Sequence, residues 1–148
     1  MSRSVPSPDP LTVEVVELIA TVVARYHEEY EAVAAQHSLT GAQARLLALL
    51  SRESLPMRKI AERLKCEPSN VTGIVDRLES RGLVERHPAA DDRRVKLAAV
   101  TEAGRETAQL LRAELDFARE PLAALSHEER TALRDLLRRM VGDSPESD

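Results

Sequence analysis

The chain has 148 residues, a net charge of −4 and 43% hydrophobic residues, of which only Tyr26, Tyr30 and Phe117 are aromatic. That length suits one domain able to bury its own core, and apolar content built from Ala, Leu and Val favours helix packing over an aromatic-rich sheet. The lone Cys66 excludes an internal disulfide, charges interrupt every apolar run below the roughly 20 residues that span a bilayer, and the first ten residues lack a secretory apolar stretch; the expectation is a cytoplasmic, mainly α protein with no membrane partner.

The charge is unevenly placed. Residues 58–96 hold ten Lys/Arg against seven Asp/Glu, a net +3, so the rest of the chain carries −7. A basic middle between acidic ends points to a polyanion facing one region while the ends do something else.

In chain order, residues 1–10 hold three prolines and read as a disordered arm. From Leu11 the apolar positions Val15, Ile19, Val22, Tyr26, Tyr30 and Val33 recur at steps of three and four, which predicts an amphipathic helix over 11–38. A second helix follows Thr40 as N-cap, with Ala44, Leu46, Leu47, Leu49 and Leu50 on a broad apolar face. A short third helix covers roughly 57–65, with Ile60, Ala61 and Leu64 inward. After a brief turn, Pro68 opens a fourth at its first position, where the missing N–H costs nothing. Val71, Ile74, Val75 and Leu78 carry that helix to Arg81, and Gly82 stops it by taking the left-handed conformation cheaply. Two β-prone runs at 83–87 and 95–100 flank a proline-and-aspartate turn and read as a hairpin. A long helix then starts at Thr101 and runs through Ala108, Leu111, Leu115 and Ala118 to Pro121. A last one has Ser126 and Glu129 in capping-box spacing, Leu133, Leu136, Leu137 and Met140 on its apolar face, and Gly142 at its end. Residues 143–148 read as a flexible tail.

Two short helices joined by a tight turn, the second followed at once by a hairpin, form a winged helix-turn-helix whose second helix suits the major groove of DNA. Its N-terminal half offers Ser69, Asn70 and Thr72, small polar groups able to bond base edges and phosphates, and Gly73 lets the backbone come closer. In the turn "AADDRRVK", Arg93 and Arg94 sit at or near an exposed tip, where an arginine can enter the negative minor groove. Asp91 or Asp92 beside them makes sense as an acceptor that fixes a neighbouring guanidinium. Set beside this, Arg77 also reads as a surface residue paired with Asp76 or Glu79.

The stretch from Leu50 to Gly104 resembles the MarR family of bacterial transcription regulators, most specifically in "VDRLESRGLVER" (75–86), "DDRRVKL" (91–97) and "LAAVTEAG" (97–104). The resemblance implies a homodimer on double-stranded DNA, with a winged lobe at 39–100 and dimerisation helices at 11–38 and 101–142. It implies a repressor on a pseudo-palindromic operator, released by a small, phenolic or anionic effector bound between dimer interface and lobe. Carried over by position, Asp91 and Arg93 match the wing pair, Arg93 in the minor groove and Asp91 orienting it, while Ser69, Asn70, Thr72 and Arg77 match the DNA-reading helix. Gly73 departs from the longer side chain of many relatives. Tyr26 and Tyr30, four apart on one face, read as core or dimer packing, or as the lining of a ligand pocket.

Other chemistry finds little footing. The five glycines form no phosphate loop, no G-x-S-x-G is present, and no Cys/His pair is spaced for catalysis, so neither an enzyme nor a cofactor is expected. His27, His37, His87 and His127 are not in metal-ligand spacing, and "HEERT" has Thr131 where a metalloprotease needs its second histidine. Cys66 reads as a packing residue rather than a redox switch. A winged-helix module that binds protein instead of DNA is the alternative function; the polar reading helix and the wing arginines argue against it.

Overall fold

A computed structural model describes residues 7–116 and 120–143 and divides the chain into two compact units, one up to Leu115 and one from Asp116 onward. In the first unit the elements are α1 (Pro10–Gln36), α2 (Gly41–Leu50), β1 (Leu55–Pro56), α3 (Met57–Leu64), α4 (Pro68–Ser80), β2 (Val84–Pro88), β3 (Lys96–Val100) and α5 (Glu102–Glu114). The second unit carries α6 (His127–Val141). The fold is mainly helical with one small antiparallel sheet.

Helix α1 starts at Pro10, one residue inside the expected arm, because Asp9 caps it: its carboxylate accepts the Thr12 N–H at 3.0 Å, with Pro10 at a position that needs no donor. Those Thr12 hydrogen bonds hold the Asp9 carboxyl below its ordinary value. Residues 1–6 of the expected arm, and 144–148 of the expected tail, lie outside the described residues. Helix α2 begins with a full capping box between Thr40 and Gln43. The α4 helix ends where Gly82 adopts φ +73°.

The core of the first unit gathers Leu46, Leu47 and Leu50 of α2, Ile60 of α3, Val71, Val75 and Leu78 of α4, Val84 and Ala98 of the sheet, and Ala108 and Leu111 of α5. Only Val33 and Ala34 of α1 are buried in it; Leu11, Val15, Val16, Leu18, Ile19, Val22 and Val23 are exposed. A second expected dimerisation element behaves differently, since the inner face of α5 belongs to this core. That helix also stops at Glu114 rather than near Pro121: Leu115 packs its side chain on the core with extended backbone angles (φ −77°, ψ 112°) that no longer continue a helix. Phe117 and Ala118 lie outside the described residues.

The sheet has three strands in the order β1-β3-β2, one more than the expected hairpin. Ala98 is fully buried at its centre, facing Leu55 on one side and Arg86 on the other. Two residues ending in proline give almost no strand signal, which is why β1 escapes sequence reading.

In the second unit, α6 has its capping box from Ser126 to Glu129 and ends in Gly142 at φ +80°, with Asp143 N–H returning to the Arg138 carbonyl at 2.9 Å. None of its residues is buried. Leu133, Leu137 and Val141 line an apolar groove of about 380 Å³ with Leu122, edged by Arg130, Arg134 and Arg138. Among the described residues, no helix is long and apolar enough to cross a membrane.

Candidate nucleic-acid interface

Helices α3 and α4 are joined by the three residues 65–67, with Lys65 in the left-handed region (φ 54°). Val71, Val75 and Leu78 bury one face of α4, which turns the opposite face outward. Ser69, Asn70, Thr72, Gly73 and Arg77 are all exposed there. Ser69, Asn70, Gly73 and Arg77 also line one open groove of about 390 Å³, shared with Thr40 and Ala42 at the start of α2. The structure thus brings together four of the sequence-predicted residues in one place, and Thr72 stands beside them with its hydroxyl donating back to the Pro68 carbonyl at 3.2 Å. A β-carbon on Gly73 would meet nothing within 4 Å.

The electrostatics of this face depend on Arg86 of β2. Its guanidinium takes both neighbouring carboxylates of α4, Asp76 at 2.6 Å and Glu79 at 3.1 Å. These are the partners a purely structural Arg77 would need. Among the described residues Arg77 makes no ion pair, so its surface pairing with Asp76 or Glu79 is not realised.

The wing tip carries Asp91, Arg93 and Arg94, all exposed. Its ordered pair is not the Asp91–Arg93 pair that the resemblance implies but the other one left open, with Asp92 fixing a neighbouring guanidinium. Asp92 accepts from the Arg94 backbone N–H at 3.0 Å and from Arg94 Nε at 3.2 Å, while Val95 N–H closes the turn on the Asp92 carbonyl at 3.0 Å. Asp92 stands where the Val95–Asp92 backbone bond closes the turn, and its side chain bonds the N–H two residues on, whereas among the described residues Asp91 holds no hydrogen bond to Arg93. Arg93 is left without an ion pair among the described residues.

A second feature lies on the other side of α2. Tyr26 and Tyr30 are half-buried and meet edge to face, with centroids 4.9 Å apart at 64°. Tyr30 faces two cavities of about 220 and 230 Å³ that share Ala48 and Arg52. One adds Arg112, Leu111 and Leu115, and the other adds Tyr26 and Arg45. Burial, reinforced by a hydrogen bond with Tyr26, pushes the Tyr30 phenol up to about 12 against the opposing pull of Arg112 and Arg45. The arginines are absent from the sequence expectation, yet Arg45, Ala48, Leu49 and Arg52 share the i, i+3, i+4, i+7 spacing of one helix face. Cys66 is half-buried at the rim of the α4 groove, its thiol donating to the Leu64 carbonyl at 3.3 Å.

A helix pair with a tight turn, an outward polar helix face and a three-stranded wing define a winged helix-turn-helix regulator. Comparison with known proteins agrees. The model of the MarR family matches residues 39–96. The repressor NicR of Pseudomonas putida is 30% identical over 146 residues, covering 95% of this chain and 90% of that one. The regulator YdgJ of Bacillus subtilis is 32% identical over 96 residues, 64% of this chain and 58% of its own, so the chain spans just over half the length of that relative. Among solved structures, CouR from Rhodococcus jostii bound to p-coumaroyl-CoA superposes with a TM-score of 0.80 at 25% identity, covering 95% of this chain and 99% of that one. The chain belongs to the MarR family, whose members found here are transcriptional regulators rather than enzymes.

Proposed function

We propose that the chain is a homodimeric repressor that reads a pseudo-palindromic operator and is released by a small anionic or phenolic effector. The observation that carries the DNA reading is the outward face of α4, where Ser69, Asn70, Thr72, Gly73 and Arg77 are exposed together and Arg86 keeps the nearby carboxylates away from Arg77. In this reading α4 enters the major groove, its short polar side chains address base edges, and Arg77 meets a phosphate or a guanine edge. Arg93 enters the flanking minor groove. Arg94, held by Asp92, shapes the turn and adds positive charge, and Asp91 stands at the tip.

The lobe at 39–100 supplies these contacts. The exposed apolar faces of α1 and α6 supply the second copy's docking surface within 11–38 and 101–142, since a helix of 27 residues with only Val33 and Ala34 buried leaves more apolar surface than a monomer keeps in water. Two lobes related by a two-fold axis then meet half-sites about one helical turn apart.

The effector reading rests on the Tyr30 cavities. Three arginines beside two tyrosines and an aliphatic wall suit an aromatic anion, the charge on Arg45, Arg52 or Arg112 and the ring against Tyr26 or Tyr30. CouR, similar in fold, is bound to p-coumaroyl-CoA, which shares a phenolic ring with such a ligand. Release from DNA follows if the ligand binds one arrangement of the dimer better than the other.

The test is a mobility-shift titration on the DNA upstream of the chain's own gene at two salt concentrations, with wild type and Arg93→Ala, followed by p-coumarate. Expected are dimer binding that weakens steeply with salt, a further loss in the variant, and release by the aromatic anion. Binding no tighter than to random DNA on this and on genome-wide fragments overturns the regulator reading.

A further inference from the structure

Arg81 is the C-cap of α4 and lines none of the grooves described above. Its guanidinium reaches back along the chain to the turn between α1 and α2: Nη1 donates to the Ser38 carbonyl at 2.8 Å, and Nη2 donates to the His37 carbonyl at 3.1 Å. Carbonyls at the end of a helix lack intrahelical donors, and a planar two-pronged cation satisfies a pair of them in one fixed orientation. The turn it holds is itself constrained, because Ser38 is a non-glycine residue at φ 57°.

His37 is tied on its other side as well. Its ring Nε2 lies 3.0 Å from Glu114 Oε2, in the last turn of α5. One residue therefore joins three helices: its backbone is held by α4, its side chain by α5, and it caps α1. The α4 end of this junction is one residue before Gly82, where the chain turns toward the sheet, so the reading helix and the wing leave the helical body at the same point.

We infer that Arg81 is a positioning residue for DNA reading: its fork on the His37 and Ser38 carbonyls sets the angle of α4 against α1 and α5. The inference rests on the regulator reading for its functional consequence, although the clamp itself does not depend on it. Arg81 acts through α4 and touches no DNA. Lysine retains the charge but cannot hold two carbonyls in a plane.

The experiment compares wild type, Arg81→Ala and Arg81→Lys. Operator affinity is measured across a salt series, with far-ultraviolet circular dichroism to check folding. Nitroxides at positions 28 on α1 and 70 on α4 of one chain, in a Cys66→Ser background diluted with unlabelled chain, report the inter-helix distance. Expected for both variants are a loss of roughly tenfold in affinity, comparable to one charge-assisted hydrogen bond, an unchanged salt slope, and a broadened α1–α4 distance distribution. A salt slope smaller by about one would mark Arg81 as a phosphate contact and overturn the proposal. Wild-type affinity in Arg81→Lys would do the same, since charge alone would then suffice. If Arg81→Ala fails to fold, the lysine variant carries the test. If the wild type binds no operator, the regulator reading fails and the distance distribution alone decides: a narrow distribution in the variants refutes the clamp, and a broad one supports it.

Discussion

Gly104 faces the carbonyl oxygen of Leu83 at a separation that a β-carbon cannot share. Thr101 works the same junction from three residues earlier. Its N–H donates to the Leu83 carbonyl at 3.1 Å, its hydroxyl donates to the Gly82 carbonyl at 2.6 Å, and that hydroxyl oxygen caps α5 by accepting the Gly104 N–H at 3.1 Å. The start of α5 is thereby fixed to the turn that ends α4. Because the obstacle is backbone, Gly104→Ala cannot be relieved by a rotamer change; it should destabilise the protein by about 3 kcal/mol, the upper end of overpacking effects. Urea unfolding at one protein concentration measures this, and a change under about 0.5 kcal/mol would show that the junction yields.

Gly73 presents the opposite case. It sits inside α4 with open space around its missing side chain, so Gly73→Ala should raise stability by about 0.5–1 kcal/mol through helix propensity alone. If DNA approaches the backbone there, the same methyl group should lower operator affinity. Thermal unfolding and mobility shift together check the pair of signs. Equal affinity would place the DNA farther from this turn of α4.

Arg86 should matter to DNA binding without touching DNA. In Arg86→Ala the carboxylates of Asp76 and Glu79 lose their partner and add uncompensated negative charge near the exposed face of α4 that carries Arg77. Affinity should fall, and Arg77→Ala should cost less in that background than in the wild type. A double-mutant cycle measures the coupling; additivity within about 0.3–0.5 kcal/mol would show that the two arginines act independently.

Tyr30 should leave a signature at high pH. Its phenol is held neutral in the folded chain up to about 12, above the ordinary value near 10. A group whose folded value is raised contributes stability that is complete below the unfolded value and disappears as pH climbs to the folded one. Stability should therefore decline between about pH 10 and 12, and Tyr30→Phe should flatten that decline. With two tyrosines and no tryptophan in the chain, absorbance at alkaline pH reads the titration directly in wild type against the variant.

Much of the fold is legible in the sequence because its signals are local. Thr40, Pro68, Gly82, Ser126 and Gly142 each act through their own or adjacent backbone groups, and the structure finds each in that role. What escapes is set by residues distant in the chain. The β1 strand exists because Leu55 and Pro56 meet β3, some forty residues later. Leu115 leaves the helix while packing onto a core assembled from other elements. The candidate site divides the same way. Exposure of Ser69, Asn70 and Arg77 follows from the spacing of Val71, Val75 and Leu78, whereas the pairing of the nearby carboxylates depends on Arg86, ten residues from Asp76, across a turn that spacing alone does not orient. On the wing, the pairing of Asp92 rather than Asp91 follows from turn geometry that composition does not encode.

The three-stranded sheet places its anchor at Ala98, with Leu55 on one flank and Arg86 on the other, and the last bond across the hairpin runs from the Ala89 N–H to the Val95 carbonyl at 2.8 Å, with residues 90–94 beyond it. The base of the wing is therefore tied to the core, and its tip only to itself, through the Asp92 turn. Substitutions at Asp91 and Arg93, which hold no hydrogen bond or ion pair among the described residues, can be sampled by evolution without disturbing the turn that Asp92 and Arg94 hold. On the proposed DNA reading, a lineage could thus change the chemistry of the wing tip while the scaffold that holds α4 stays the same.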